Sequence, residues 1–219
     1  TDATGGCTPG ECWQQPRDLG NFLSTQTEES CTQYNVLKVA RHLFQWKAEP
    51  RYADFYERAL LNGIVGNQDR RDPTKATSYI YMLPLGGAVK KAWGKSDFGF
   101  PCCWGTLSES FAKLSDSIFF AAADGVAVYV NQYVSAAVHL AYGVRLVQES
   151  SALTTDLTST LRLSIGSDVK NASTAILVRV PGWLSKPCTG CVRLNGAALG
   201  GVAAPGSYFK VSPPGGVWM

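Results

Sequence analysis

The chain has 219 residues, 45% of them hydrophobic and 17% charged, with a formal net charge of +3. This is the composition of a soluble globular protein, long enough for one good-sized domain or two small ones. Lys and Arg are scattered, with no basic stripe interleaved with aromatics, and no apolar run approaches the ~18–20 residues that span a bilayer, so neither nucleic acid nor membrane is expected as a partner.

The amino terminus, Thr1 to Gly6, has neither a basic leader nor an apolar h-region, so no signal peptide is read there. Cys7 and Cys12 flank a Gly/Pro turn that also carries Glu11. A first helix is expected from Tyr34 to Trp46, where Val36, Val39, Ala40 and Leu43 recur at helical spacing, and a second from Tyr52 to Val65 on Phe55, Ala59, Leu60 and Ile64. A loop-rich stretch from Gly66 to Pro101 follows, with Asp72-Pro73 and Leu85-Gly86-Gly87; so long an excursion inside a domain is usually functional. A third helix is expected from Leu107 to Phe120, with Phe111, Leu114, Ile118 and Phe119 on one face.

After Ala123-Asp124-Gly125 the period changes to two. Val126 to Val130, Val138 to Leu140, Val144 to Leu146, Leu161 to Ile165, Ala175 to Val180 and Tyr208 to Val211 read as strands separated by short turns, the pattern of an antiparallel sandwich. The change places a helical domain at residues 1–123 and a β-sandwich domain at 124–219, possession of both making the class α+β. Asn171-Ala172-Ser173 is a glycosylation sequon, and Cys188-Thr189-Gly190-Cys191 reads as a loop disulfide or a pair of idle thiols. Three helices are too few to close a core alone, so the sequence reads as a piece of something larger.

The chemistry centres on Cys102-Cys103. Neighbouring side chains rarely point into one apolar interior, so two adjacent cysteines read as a site rather than as core filler. With Glu29 and Cys31 they make three thiols and a carboxylate, a full set of ligands for tetrahedral zinc. Glu29 and Cys31 would point ~200° apart on one helix, but to the same side of an extended segment. Joint binding therefore requires the helix to begin after them, near Cys31 or Thr32. The alternative is that Glu28 and Glu29 are first-turn acids favoured by the helix dipole and Cys31 is simply buried. Glu11 can be presented by its glycine-rich turn, and an acid beside a thiolate is the pair that retaining glycoside hydrolysis needs.

Several ordered blocks then carry a resemblance: Thr4-Gly5-Gly6 through Gly10-Glu11, Glu28 to Lys38, Tyr52 to Leu60 with Asn62-Gly63, and Tyr81 to Leu85. Cys102-Cys103-Trp104-Gly105-Thr106, Ala112-Lys113-Leu114, Asp116 to Phe120 and Val178 to Trp183 extend it across nearly the whole chain. These blocks resemble glycoside hydrolase family 127, the β-L-arabinofuranosidase family, in its plant and algal branch. The resemblance implies the C-terminal part of an (α/α)6 barrel followed by the β-sandwich, without the amino-terminal barrel helices and the histidines they supply. It implies Glu11 as general acid/base and Cys102 as nucleophile, with Glu29, Cys31, Cys102 and Cys103 as ligands of Zn2+ and Tyr81 lining the sugar site. It also implies a glycan or glycoprotein bearing L-arabinofuranose as substrate, and the secretory pathway is favoured over the cytoplasm.

His42 and His139, the two histidines present, do not match the family's sugar-contacting positions and read as structural or solvated, and Cys12 stands where an aromatic residue is expected after Gly-Glu. Three readings follow: a zinc-dependent retaining glycosidase, or a fragment of one; a non-catalytic carbohydrate-binding or structural protein that keeps the zinc site; or a bare truncation product with no independent role. Turnover of an arabinofuranoside by the full-length parent separates the first two.

Overall fold

A computed structural model of the chain describes residues 3–18, 20–69, 71, 79–86, 89–94, 99–140, 144–151, 158–165 and 174–218. Asp72-Pro73, Gly87 and the Asn171 sequon lie outside the described residues. Two compact units are present: residues 1–48 with 55–114, and residues 49–54 with 115–219.

In the first unit, α1 runs from Ser30 to Trp46. Its buried stripe is Gln33, Tyr34, Leu37, Ala40 and Phe44, while Val39 is 54% exposed. The expected face of Val36, Val39 and Leu43 is therefore displaced around the helix. The reason is Gln33, a polar residue on the buried stripe that an apolar count passes over. Its Nε2 donates to the Ala59 carbonyl at 3.1 Å. Its side chain also fills the space above Gly63, where an added Cβ would lie 2.4 Å from Gln33 Cγ.

Helix α2 spans Pro50–Ala59, proline at its first position having no N–H to leave unsatisfied. The helical path continues as expected to Val65, but through a π turn at Leu60–Ile64 and a 3-10 turn at Val65–Asn67. Helix α3 is Cys102–Ala112. It starts five residues before the expected Leu107 and ends well short of Phe120. Ile118 and Phe119, which fit the helical period by spacing, instead lead into a strand. Leu37, Ala40, Tyr56, Ala59, Leu60, Ile64 and Leu107 form the core of this unit. Strands β1 (Glu28–Glu29) and β2 (Met82–Leu83) pair antiparallel at its edge, Glu29 opposite Met82.

The second unit holds β3 (Phe119–Ala121), β4 (Ala127–Val130), β5 (Ala136–His139), β6 (Val144–Ser150), β7 (Ser159–Ile165) and β8 (Ala175–Val180). Short strands β9 (Cys188–Thr189), β10 (Arg193–Leu194), β11 (Ala197–Ala198) and β12 (Val202–Ala203) follow, and β13 is Ser207–Val211. One sheet has the order β13-β8-β4-β3 and another β5-β6-β7. The second is antiparallel throughout, as expected, but β4 and β8 run parallel, so the architecture is not purely antiparallel. Periodicity sets which residues face inward but carries no information on strand direction. Val128, Val130, Leu146, Ile176 and Val211, drawn from both sheets, share one apolar cluster.

A buried cation is built into this unit. Arg179 on β8 is 1% exposed; its Nε donates to the Asn131 carbonyl at 2.6 Å and its Nη1 to Asp54 Oδ1. The other Asp54 oxygen accepts the Gly182 N–H at 3.0 Å, and the Tyr133 ring lies 5.5 Å from the guanidinium. Cys188 and Cys191 form a disulfide, the first of the two readings of that pair. No helix among the described residues is long and apolar enough to cross a membrane.

Candidate active site

The amino-terminal loop, β1 and β2 bring three parts of the sequence side by side. Glu29 N–H donates to the Cys7 carbonyl at 3.4 Å and Gly10 N–H to the Gln26 carbonyl at 3.0 Å, so the loop lies against the segment entering α1. Gly6 packs on the buried Glu28, where a Cβ would come within 2.1 Å of the Glu28 carboxyl carbon; no larger residue fits. Thr8, Gly10 and Glu11 all have positive φ, a tight path that turns Glu11 out of the loop. Ser30 donates both its N–H (3.1 Å) and its hydroxyl (3.2 Å) to the Tyr81 carbonyl, tying Tyr81 to the start of α1.

Glu29 is extended, with φ −82° and ψ 129°, and α1 begins at Ser30, so Cys31 is the second helical residue. The helix starts one to two residues earlier than the spacing argument required. The first turn still lets both side chains reach one place, because Glu29 itself stays outside the helix. Cys102 and Cys103 are the first two residues of α3. All three thiols thus sit at helix amino termini, where unpaired N–H groups and the dipole favour anions.

The ligand atoms of Glu29, Cys31, Cys102 and Cys103 lie within 4.8 Å of one another. Cys31 Sγ is 3.1 Å and Cys102 Sγ 4.0 Å from Cys103 Sγ, and Cys103 Sγ is 3.7 Å from Glu29 Oε1. A tetrahedron built on zinc–sulfur bonds of ~2.3 Å has edges of ~3.8 Å; the observed separations scatter around that value, a set of three sulfur donors and one oxygen that could hold one metal ion. Two further hydroxyls reach the donors: Thr32 Oγ1 donates to Glu29 Oε2 at 2.6 Å, and Thr106 Oγ1 to Cys31 Sγ at 3.4 Å. Neither Thr32 nor Thr106 had a role in the sequence reading, although both stand inside the quoted blocks; a hydroxyl one residue after Cys31 and three after Cys103 was the available signal.

The thiols are not equivalent. Cys103 is fully buried, Cys31 half-buried and Cys102 exposed. Burial pushes the Cys31 and Cys103 thiols up. Cys102 is held below the usual thiol range, chiefly by the Tyr81 hydroxyl 3.5 Å away. Tyr81 is raised in turn by its bond to Cys102 and, next, by a hydrogen bond to Glu11. The Tyr81 hydroxyl is thus the polar group beside the exposed thiol. His42, exposed and 3.1 Å from Gln45 Oε1, and His139, exposed on β5, stand outside this cluster.

No curated protein sequence matches the chain. Among solved structures, a glycoside hydrolase superposes over 97% of this chain and 38% of its own with a TM-score of 0.71 at 17% identity. A GH127 β-arabinofuranosidase gives 96%, 34%, 0.72 and 21% in the same order. A GH127 β-L-arabinofuranosidase from Geobacillus stearothermophilus T6 gives 87%, 30%, 0.65 and 21%. At these identities the likeness is one of fold, and the chain spans about a third of the length of the structures it matches. The model of the GH127 β-L-arabinofuranosidase catalytic domain matches residues 1–116 and that of the GH127 middle domain residues 127–214. The first of these takes in Glu11, Glu29, Cys31, Tyr81 and the vicinal thiols within more than half of the chain, which therefore belongs to the GH127 β-L-arabinofuranosidase family.

Proposed function

We propose that the protein is a zinc-dependent retaining glycoside hydrolase acting on terminal β-L-arabinofuranosides of a glycan or glycoprotein. The observation that carries this reading is the three-sulfur, one-carboxylate cluster, whose exposed Cys102 thiol lies 3.5 Å from the Tyr81 hydroxyl. Zinc held by Glu29, Cys31, Cys102 and Cys103 would keep sulfur deprotonated at neutral pH. Cys102, the exposed thiol, attacks the anomeric carbon as the bond to the leaving oxygen breaks, and Glu11 gives that oxygen its proton. In the second half Glu11 takes a proton from water, the water oxygen bonds to the anomeric carbon, and the Cys102 sulfur leaves. Two displacements at one carbon return the original configuration. Tyr81, 3.5 Å from Cys102 Sγ, orients the sulfur beside the space the sugar enters.

The fold assignment that goes with this reading is the C-terminal part of an (α/α)6 barrel over residues 1–123 and a β-sandwich over 124–219. With this reading goes the secretory pathway, an oxidising compartment in which a disulfide would persist. The test is hydrolysis of p-nitrophenyl β-L-arabinofuranoside, with the product anomer read by NMR. Retention is expected, with Cys102→Ser inactive and Glu11→Gln slowed by ~10²–10⁴ on substrates with poor leaving groups while keeping its zinc. Inversion at the anomeric carbon, or Glu11→Gln with undiminished hydrolysis of a poor leaving group, overturns it.

A further inference from the structure

Glu29 occupies the N-cap position of α1, where a carboxylate normally accepts a backbone N–H two or three residues on. It makes no such bond. The hydroxyl of Thr32, the third residue of the helix, takes that place and donates to Glu29 Oε2 at 2.6 Å. The other oxygen, Oε1, is the one that faces the thiols, 3.7 Å from Cys103 Sγ. The two oxygens of one carboxylate are thus divided between a hydroxyl and the sulfur cluster.

We propose that Thr32 is a positioning residue that keeps Glu29 a one-oxygen ligand and so fixes the metal site as four-coordinate; this rests on the zinc reading above. A carboxylate whose second oxygen is free can turn to give both oxygens to the ion, raising the coordination number to five. Zinc sites with an open position can expand to five ligands. The hydroxyl removes that option by holding Oε2 at the helix terminus, and Thr32 lies on the same face three residues on, which is the spacing that allows it. Groups that hold a ligand in this way change metal affinity when removed, typically by 10–100-fold.

The test is Co2+ substitution in the full chain, with wild type, Thr32→Val and Thr32→Ser compared by absorption spectroscopy. Zinc retention is measured alongside by chelator competition. The thiolate-to-cobalt charge-transfer band reports the sulfur ligands, and the intensity of the d–d bands reports coordination number. Wild type lacking the charge-transfer band would refute the metal site itself, separately from the role of Thr32. Thr32→Val is expected to keep that band, lose d–d intensity and hold zinc ~10–100-fold less tightly, whereas Thr32→Ser behaves as wild type. Unchanged d–d intensity in Thr32→Val overturns the proposal whether or not zinc retention falls, as does a Thr32→Ser spectrum like that of Thr32→Val. Should Thr32→Val fail to fold, Thr32→Ala against Thr32→Ser carries the same contrast.

Discussion

Removing Asp54 should cost the protein more than removing Arg179, although the two are partners. The side chain of Arg179 is fully buried and that of Asp54 is 22% exposed. In Arg179→Met the Asp54 carboxylate keeps the Gly182 N–H at 3.0 Å and some contact with water, so the loss is that of one charged hydrogen bond in a part-solvated site, about 1–2 kcal/mol. In Asp54→Ala the guanidinium, deep in the unit, loses the Asp54 carboxylate while keeping the Asn131 carbonyl and the Tyr133 ring. Removing one partner of a buried ion pair costs about 3–5 kcal/mol. At ~2–4 °C per kcal/mol for a chain of this size, Asp54→Ala lowers Tm by about 6–20 °C and Arg179→Met by about 2–8 °C. The double variant should resemble Arg179→Met, with a coupling of at least ~1 kcal/mol, because the stranded charge has gone. Urea unfolding of the four proteins measures all three values. An Arg179→Met at least as damaging as Asp54→Ala, or an additive double variant, would refute the reasoning.

Gly63→Ala should destabilise by about 1–3 kcal/mol, since its Cβ would enter the space of Gln33; in a Gln33→Ala background the same change becomes neutral or favourable, as alanine is the better helix former by up to ~1 kcal/mol. Leu107→Ala, at a fully buried core position, should cost about 2–5 kcal/mol by chemical denaturation. Metal analysis should find about one zinc per chain, stripped by chelators and weakened by Cys103→Ser, whereas Cys12→Ser leaves the zinc content unchanged, Cys12 lying outside the cluster.

The strands were legible because alternation records burial directly in β6 and β7, while β4 and β8 are short, nearly continuous apolar runs bounded by turn residues. Their pairing was not, because partners are chosen across long separations that local sequence does not encode. The start of α3 was hidden by Trp104-Gly105, a poor helix-forming pair inside its first turn, and by Pro101 at the cap position in place of a side-chain acceptor. Its end was hidden because Ile118 keeps the helical spacing from Phe111 and Leu114 after the helix has stopped. The Cys/Glu cluster was legible from residue type alone, since adjacent cysteines have few other uses. The placing of Glu11 was not: it depends on three positive-φ residues and on the backbone bonds that lay the amino-terminal loop against the segment entering α1, each a property of backbone path.

The parallel pairing of β4 with β8 has a consequence for how the second unit assembles. The register that sets Ala127 against Ala175 leaves β5, β6 and β7 between the two partners in the chain, and those three strands complete their own hydrogen bonding with one another. The meander needs only short loops to close, whereas the central pair of the other sheet must bring together ends separated by the whole meander. A hydrogen-exchange pulse during refolding should therefore protect amides of Val147 and Leu163 before those of Val128 and Leu177. In this unit the innermost pair of strands is the last seam to be sewn.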